Sequence, residues 1–250
     1  MREILGIDIG GTGMKAAKVD IKTGELLSER YKIKTPESKM PKDMINVVAD
    51  LVDHFDWRGK RIGICFPAVI KDNHSLSASN IHDNWIGFPI TKKISKAIDT
   101  PVSVINDADA AGIAELHFGQ GKSFDGTVIL LTLGTGIGSA IFRNGILLPN
   151  TELGHLKYKD SIAEKYASNS ARKNFDLSWE EYGKELNEYL EYVDYIFSPD
   201  LVILGGGISK KFKDYHNYIS RDINVVTAKS LNNAGIIGAA IWANQVFKKA

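Results

Sequence analysis

Ile4-Leu5-Gly6-Ile7-Asp8-Ile9-Gly10-Gly11-Thr12-Gly13-Met14-Lys15 is an apolar strand that runs into a turn almost free of side chains. Glycine lets a backbone bend sharply and lets an anion approach its N–H groups. The next segment is not a helix: Met14 to Val19 is strand-like again, so the turn closes a hairpin. It also lacks the Gly-Lys-Ser/Thr ending of a P-loop, and the dinucleotide fingerprint fails because no helix opens here. The bland alternative is a tight hairpin turn without a ligand. About a hundred residues on, the apolar run Val102-Ser103-Val104-Ile105 delivers Asn106-Asp107-Ala108-Asp109-Ala110-Ala111, which places a carboxylate at the mouth of a helix. A phosphate cradle together with a poised carboxylate is what phosphoryl transfer to a hydroxyl requires.

The chain outward from these motifs reads as two related halves. Lys22-Thr23-Gly24 is a turn and Leu26 to Thr35 a third strand, giving an antiparallel meander. Met44, Val47, Val48, Leu51, Val52 and Phe55 recur at helical spacing. Arg61 to Phe66 is a buried strand, 71–84 a polar loop, and Thr91 to Ile98 a short helix before the strand that carries Asn106. In the second half, Val128 to Leu133 ends in Leu133-Gly134-Thr135-Gly136-Ile137-Gly138, and Ser139 to Phe142 returns through Asn144-Gly145, a hairpin signal. Ser178 and Glu181 form a capping box for a long helix that Pro199 stops. Leu201 to Leu204 is a buried strand ending in Gly205-Gly206-Gly207, and an apolar helix covers Ile236 to Phe247. The expected boundaries are 1–105 plus 236–250 for a small N-terminal lobe and 106–235 for a large C-terminal lobe.

Composition restricts the partners. The 250 residues suffice for one large core or two modest lobes. A net charge of +1 supplies no global attraction to nucleic acid or anionic membrane, so neither partner is expected. Cys65 is the single cysteine, which excludes an internal disulfide and a cysteine-rich zinc cluster and suits a reducing compartment. With no signal-peptide pattern and no run long enough to span a bilayer, a cytoplasmic protein is expected.

The candidate chemistry gathers on few residues. Two glycine-rich hairpin loops, each with a threonine hydroxyl (Thr12 and Thr135), form a paired phosphate signal. Asp107 stands where a helix cap or a general base would stand, and the two roles are compatible. Glu152-Leu153-Gly154-His155 with Glu164 reads as a loop salt bridge, half a metal site, or a clamp on neighbouring hydroxyls. Carboxylates accept from hydroxyls and imidazole can donate.

These elements, in this order, resemble the ROK sugar kinases, with the polyphosphate-using branch as the nearer likeness. The stretches that carry it are Gly6 to Gly13, Ser79-Asn80-Ile81, Trp85-Ile86-Gly87, Asn106 to Ala111, Leu133 to Gly138, Glu152 to His155, Ala163-Glu164, and Phe197-Ser198-Pro199-Asp200-Leu201 through Gly207-Ile208-Ser209-Lys210-Lys211. The resemblance implies an α/β fold of two actin-like, ribonuclease-H-type lobes with mixed sheets flanking a cleft. It implies phosphoryl transfer from polyphosphate, with ATP as a further donor, to the 6-hydroxyl of glucose, with mannose as a further acceptor. Asp107 matches the catalytic base. Asn106, Glu152, His155 and Glu164 match hexose contacts, with Asn80 near the sugar. Gly10, Gly11 and Thr12 and the Gly134, Thr135 and Gly136 loop match phosphate contacts, joined by Lys15. Asp8 would orient Mg²⁺ through water, and Gly205, Gly206 and Gly207 match the stretch bordering a nucleotide. A homodimer is expected.

Two departures bear on the branch. The family's cysteine-rich zinc motif is absent from the interval Leu156 to Ala163, so no structural zinc is expected. Phe66-Pro67-Ala68 stands where the family usually has Pro-Gly, which leaves hexose preference open. A polyphosphate tail would need cations, and Arg172, Lys173, Lys210 and Lys211 are the candidates; the alternative is four solvated charges. Competing readings are an ATP-only hexose or N-acylhexosamine kinase and a catalytically inactive sugar-binding regulator. A sugar-responsive repressor would need a preceding helix-turn-helix, which is not expected in a chain that opens on the phosphate strand.

Overall fold

The computed structural model describes residues 2–78 and 80–249, leaving aside the side chains of Leu231 and Lys249. Ser79, in one of the stretches that carry the family resemblance, lies outside the described residues. The chain divides into two compact units, Met1–Ala114 with Asn233–Ala250, and Glu115–Asn232.

The first unit begins with the meander read from the sequence: β1 (Glu3–Ile9), β2 (Gly13–Asp20) and β3 (Tyr31–Lys34) pair antiparallel. The third strand is shorter than expected. Leu26 makes one isolated bridge to Val19, and the Leu27 N–H and the Ser28 hydroxyl bond Lys18, so the ladder resumes only at Tyr31. Helix α1 (Pro41–His54) has proline in its first turn, where a missing N–H costs nothing. Next come β4 (Ile62–Phe66), a small hairpin of β5 (Ile70–Lys71) and β6 (His74–Ser75) within the stretch read as loop, α2 (Ile90–Ile98), β7 (Val102–Asn106) and α3 (Asp107–Phe118). Parallel pairing of β1, β4 and β7 completes the sheet order β3-β2-β1-β4-β7. Leu5, Ile7 and Ile9 pack with Met44, Val48, Ile90 and Ile94 on one face.

The second unit repeats this plan. It contains β8 (Thr127–Leu133), β9 (Ile137–Arg143), β10 (Ile146–Leu148), a hairpin of β11 (Lys157–Tyr158) and β12 (Ser161–Ile162), α4 (Glu164–Ala167) and α5 (Asn169–Asn174). It continues through α6 (Trp179–Phe197), β13 (Leu201–Gly205), α7 (Phe212–Tyr215) and β14 (Val225–Thr227). Its sheet order, β10-β9-β8-β13-β14, reproduces the first: three antiparallel strands, then two parallel additions. Asn144 (φ 50°) and Gly145 (φ 75°) make the expected tight turn, and Ser178 with Glu181 closes the expected capping box on α6. The interval Leu156 to Ala163 is occupied by the β11–β12 hairpin, anchored by buried Tyr158. Glu115 is fully buried in α3: Oε1 accepts the N–H groups of Lys229 and Ser230 at 3.0 and 2.6 Å, and Oε2 that of Gln120 at 3.0 Å.

The chain's last helix, α8 (Ala234–Lys249), returns to the first unit and covers the other face of its sheet. Glycine makes the seat possible. A β-carbon on Gly6 would sit 2.1 Å from the Ile236 carbonyl oxygen, one on Gly63 1.9 Å from that of Ala239, and one on Gly238 1.7 Å from that of Ala110 in α3. Backbone cannot yield as a flexible side chain can. Gly63→Ala is therefore expected to lower the unfolding free energy by at least about 1–3 kcal/mol, the usual cost of overpacking. A denaturant titration checks this, and an unchanged midpoint would mean that α8 does not rest on β4 this closely.

Candidate functional site

In the first unit the parallel strands β1, β4 and β7 end at one edge of the sheet. Open α/β sheets bind ligands at the carboxyl ends of such strands. Asp8 closes β1 there, in register with Lys15 of β2 and Cys65 of β4. Its Oδ2 accepts from the Lys15 ammonium at 3.0 Å, and its Oδ1 from the Cys65 thiol at 3.4 Å. Burial, and then the negative charges of Asp8 and Asp107, push the Cys65 thiol well up, so it stays protonated and donates. Gly235, in the first turn of α8, lies against both side chains: a β-carbon there would come within 2.8 Å of Cys65 Sγ and 3.1 Å of Asp8 Cγ. A carboxylate is favoured at that end of a helix. The glycine turn after β1 is fixed from inside, since Gly10 N–H donates to the Gly13 carbonyl and the Thr35 hydroxyl to the Gly10 carbonyl at 2.6 Å. Thr12 is exposed.

The end of β7 corrects one expectation. The helix cap is Asn106, not Asp107. Buried Asn106 accepts the N–H groups of Ala108 and Asp109 with Oδ1, at 2.8 and 3.1 Å, and donates Nδ2 to the Ala68 carbonyl at 3.2 Å. Asp107, the first residue of α3, accepts the Ala108 N–H at 2.8 Å and is exposed. The sequence offered two adjacent capping residues; β7 still pairs at Asn106 with Phe66, which turns that side chain inward and the next one out. Asn80, with φ 60°, lies beside Gly11, and its carbonyl accepts from the Lys39 ammonium at 2.7 Å. Lys39 and Thr35 had no signal in the sequence, because each reaches the glycine turn through the fold of 35–40 rather than through a motif.

In the second unit the corresponding turn is Gly134 to Gly136. Gly134 N–H donates to the Gly136 carbonyl, and the Ser170 N–H of α5 to the Gly134 carbonyl. Glu164, at the start of α4, takes the Ile137 N–H on Oε2 at 3.2 Å, and a β-carbon on Gly136 would lie 2.2 Å from that oxygen. Glu152 stands before the 3₁₀ turn Leu153–His155, and its Oε2 is 4.0 Å from His155 Nδ1. Burial raises the Glu152 carboxyl, His155 opposes the rise, and Glu164 adds to it. Glu152, His155, Glu164 and the Gly134–Gly136 turn thus form one electrostatic neighbourhood. Gly205 to Gly207 join it through the parallel pairing of Gly205 with Thr132; Gly206, at φ 81°, would strike the Leu133 carbonyl with any side chain.

The four tail cations are less uniform than their charges suggest. The Arg172 guanidinium lies 3.9 Å over the Trp179 ring and its Nε is buried without a hydrogen-bond partner; Lys211 stands 4.0 Å from Asp214, while Lys173 and Lys210 are exposed.

Among known proteins, the profile described as the ROK family matches residues 4–171. The polyphosphate glucokinase of Mycobacterium tuberculosis (strain CDC 1551 / Oshkosh) is 39% identical over 96% of this chain and 91% of its own length. The inorganic polyphosphate/ATP-glucomannokinase of Arthrobacter sp. strain KM superposes with a TM-score of 0.93 at 42% identity, over 98% of this chain and 100% of that one. A ROK family glucokinase from Streptomyces griseus, solved with glucose and AMPPNP, gives 0.81 at 25% identity over 97% and 99%.

The cap assignment has a direct test. Asn106→Ala removes two helix-terminal acceptor contacts and leaves the buried Ala68 carbonyl unpaired. The expected loss is about 1–3 kcal/mol of stability, read by thermal and chemical denaturation.

Proposed function

The chain belongs to the ROK family, and from that premise we propose that it transfers a phosphoryl group from inorganic polyphosphate to the 6-hydroxyl of glucose, giving glucose 6-phosphate. The observation that carries the chemistry is the exposed Asp107 carboxylate at the head of α3, at the strand edge that also ends in the Gly10–Thr12 turn. The likeness to polyphosphate glucokinase and polyphosphate/ATP-glucomannokinase along nearly the whole chain supports the donor and the acceptor. ATP is proposed as a second donor and mannose as a second acceptor on the second of these likenesses.

The reaction assigns each residue a task. Asp107 accepts the proton of the 6-hydroxyl as its oxygen bonds to the terminal phosphorus. The bond from that phosphorus to the bridging oxygen breaks, and the donor leaves one phosphate shorter. Glu152, His155 and the second oxygen of Glu164 hold ring hydroxyls, while Asn106 retains one amide hydrogen for the sugar. Asn80 stands near the hexose. Backbone N–H groups of Gly10 to Thr12 and Gly134 to Gly136, the Thr12 and Thr135 hydroxyls and Lys15 meet the developing phosphoryl charge. Gly205 to Gly207 border a nucleotide when ATP is the donor. Lys173 and Lys210, with Arg172 and Lys211, stand as candidate cations for the polyphosphate tail.

Magnesium fits this donor set in one way. Among the described residues no three His, Cys, Asp or Glu side chains cluster as a metal cage. Asp8 provides one carboxylate, already bonded to Lys15, which suits an ion that keeps its waters and takes other ligands from substrate phosphates. Bound there, Mg²⁺ would neutralise charge on the transferring group. No described helix is long and apolar enough to cross a membrane, in keeping with a cytoplasmic enzyme. A homodimer is proposed, with the exposed Ile146 and Leu148 of edge strand β10 available for burial.

Two measurements test the assignments. Asp107→Asn keeps a side-chain oxygen for the Ala108 N–H but cannot take the proton; turnover with glucose is expected to fall about 10²- to 10⁴-fold, with glucose binding retained by calorimetry. Near-normal turnover would remove Asp107 from the mechanism. For Glu152, hydroxyl binding needs the ionised carboxylate. The Michaelis constant for glucose is therefore expected to rise as pH falls through a value above this group's ordinary one, because burial raises it. Glu152→Gln should abolish that limb; an identical limb in the variant would assign it to another group.

A further inference from the structure

The edge strand β3 carries a feature that the glycine turns do not account for. Residues 30–42 hold Arg30, Lys32, Lys34, Lys39 and Lys42 against Glu37 alone, in a chain whose net charge is only +1. In the fold, Lys34 pairs in register with Gly13, and Lys32 with Lys15. Alternation puts Lys34 and Lys32 on the face that also bears Asp8 and Lys15. Arg30 lies just before the strand, and its guanidinium donates to the Asn233 side chain at 3.2 Å, next to the start of α8. Steps of two residues along a strand are about 6.6 Å, so Lys32 stands about one such step from Lys34, and Arg30, just before β3, lies beyond it.

The near end of the row meets the turn itself. The Lys32 side chain crosses Gly13 so closely that a β-carbon there would lie 2.3 Å from its Cε and 3.3 Å from its ammonium nitrogen. The Lys39 ammonium flanks the other side, 4.0 Å from a β-carbon built on Gly11. The nearby acids are engaged or outlying: Glu37 bonds Lys34 at 3.1 Å with both side chains mostly in solvent, Asp8 bonds Lys15, Asp43 accepts from the Ser38 hydroxyl, and Glu29 is exposed beside Arg30. The strand's aromatic, Tyr31, is stacked on His54 at 3.7 Å and offers no platform for a base. The row therefore presents cations to a polyanion and no free ring to a base.

We propose that the exposed edge of β3 is the path of a condensed-phosphate donor beyond its reacting end. Lys32 and Lys39 flank the turn, Lys34 stands at its rim, and Arg30 holds phosphates that a nucleoside triphosphate or a three-phosphate chain does not reach. The assignment rests on polyphosphate being the donor and adds where the chain runs.

The experiment compares the wild type with an Arg30→Gln/Lys32→Gln variant and a Lys210→Gln/Lys211→Gln variant. The readouts are Michaelis constants for long-chain polyphosphate, tripolyphosphate and ATP, and equilibrium binding of long polyphosphate without glucose at about 50 and about 200 mM salt. The β3 variant should raise the constant for the long chain about 5- to 10-fold and lessen the log–log salt slope of binding by about one to two, as lost counterion release requires. The rise for tripolyphosphate and ATP should be smaller. Equal changes for all donors, no change, or a long-chain effect confined to the Lys210/Lys211 variant would each overturn the path. A wild type that uses polyphosphate while the β3 variant is unaffected removes the path alone; a wild type inert with every polyphosphate removes the donor reading and the path together.

Discussion

Backbone resting on backbone, where α8 crosses β1 and β4, is the contact on which the first unit is built. Gly6, Gly63 and Gly238 allow it, since at each a methyl group would overlap a carbonyl oxygen. Glycine in a helix interior costs about 1 kcal/mol against alanine, and Gly238 carries that cost. The return is position: Gly235 brings the positive end of α8 against Asp8 and Cys65. The same seat holds the strand ends that present the Gly10–Thr12 turn and, through Ala110, the helix headed by Asp107. A sheet with a bulkier residue at any of these points would carry the same motifs at altered distances.

The second unit reaches the same sheet order and uses its loops differently. Its glycine turn is braced by a side chain, Glu164, rather than by an internal hairpin alone. One oxygen of that carboxylate takes the loop N–H, and in the proposed site the other holds a sugar hydroxyl. The proposed recognition of a hydroxyl would thereby be tied to the loop geometry through a single residue, and Gly136 must remain glycine to admit it.

Much of this was legible where the signal is local. The capping box at Ser178, the Asn144-Gly145 turn, the apolar stripe of α1 and both Gly-x-Gly hairpins depend on neighbours in sequence, and each forms as read. What escaped depends on tertiary context. Asn106 and Asp107 are both competent caps, and only the inward register at the end of β7 decides between them. Arg172 reads as a solvent charge until α5 and α6 bring it over Trp179. The third strand begins late because Ser28 and Leu27 satisfy Lys18 in another way. Lys32 and Lys39 sit in an ordinary basic stretch, and nothing short of the β2–β3 pairing and the Asn80 contact aims them at Gly13 and Gly11.

Glu115 has a bearing on how such a chain folds. The first unit is discontinuous, and residue 6 must find residue 236. Closing a loop of that length from an extended chain is slow and costly in entropy. The second unit is the segment in between, and its two ends, at α3 and at Lys229–Ser230, are fastened to one buried carboxylate. Once that unit has formed, its outgoing and returning chains emerge side by side, and the long loop behaves as a short one. The topology thus favours one order of assembly: the inserted unit first, then the helix that completes the discontinuous unit.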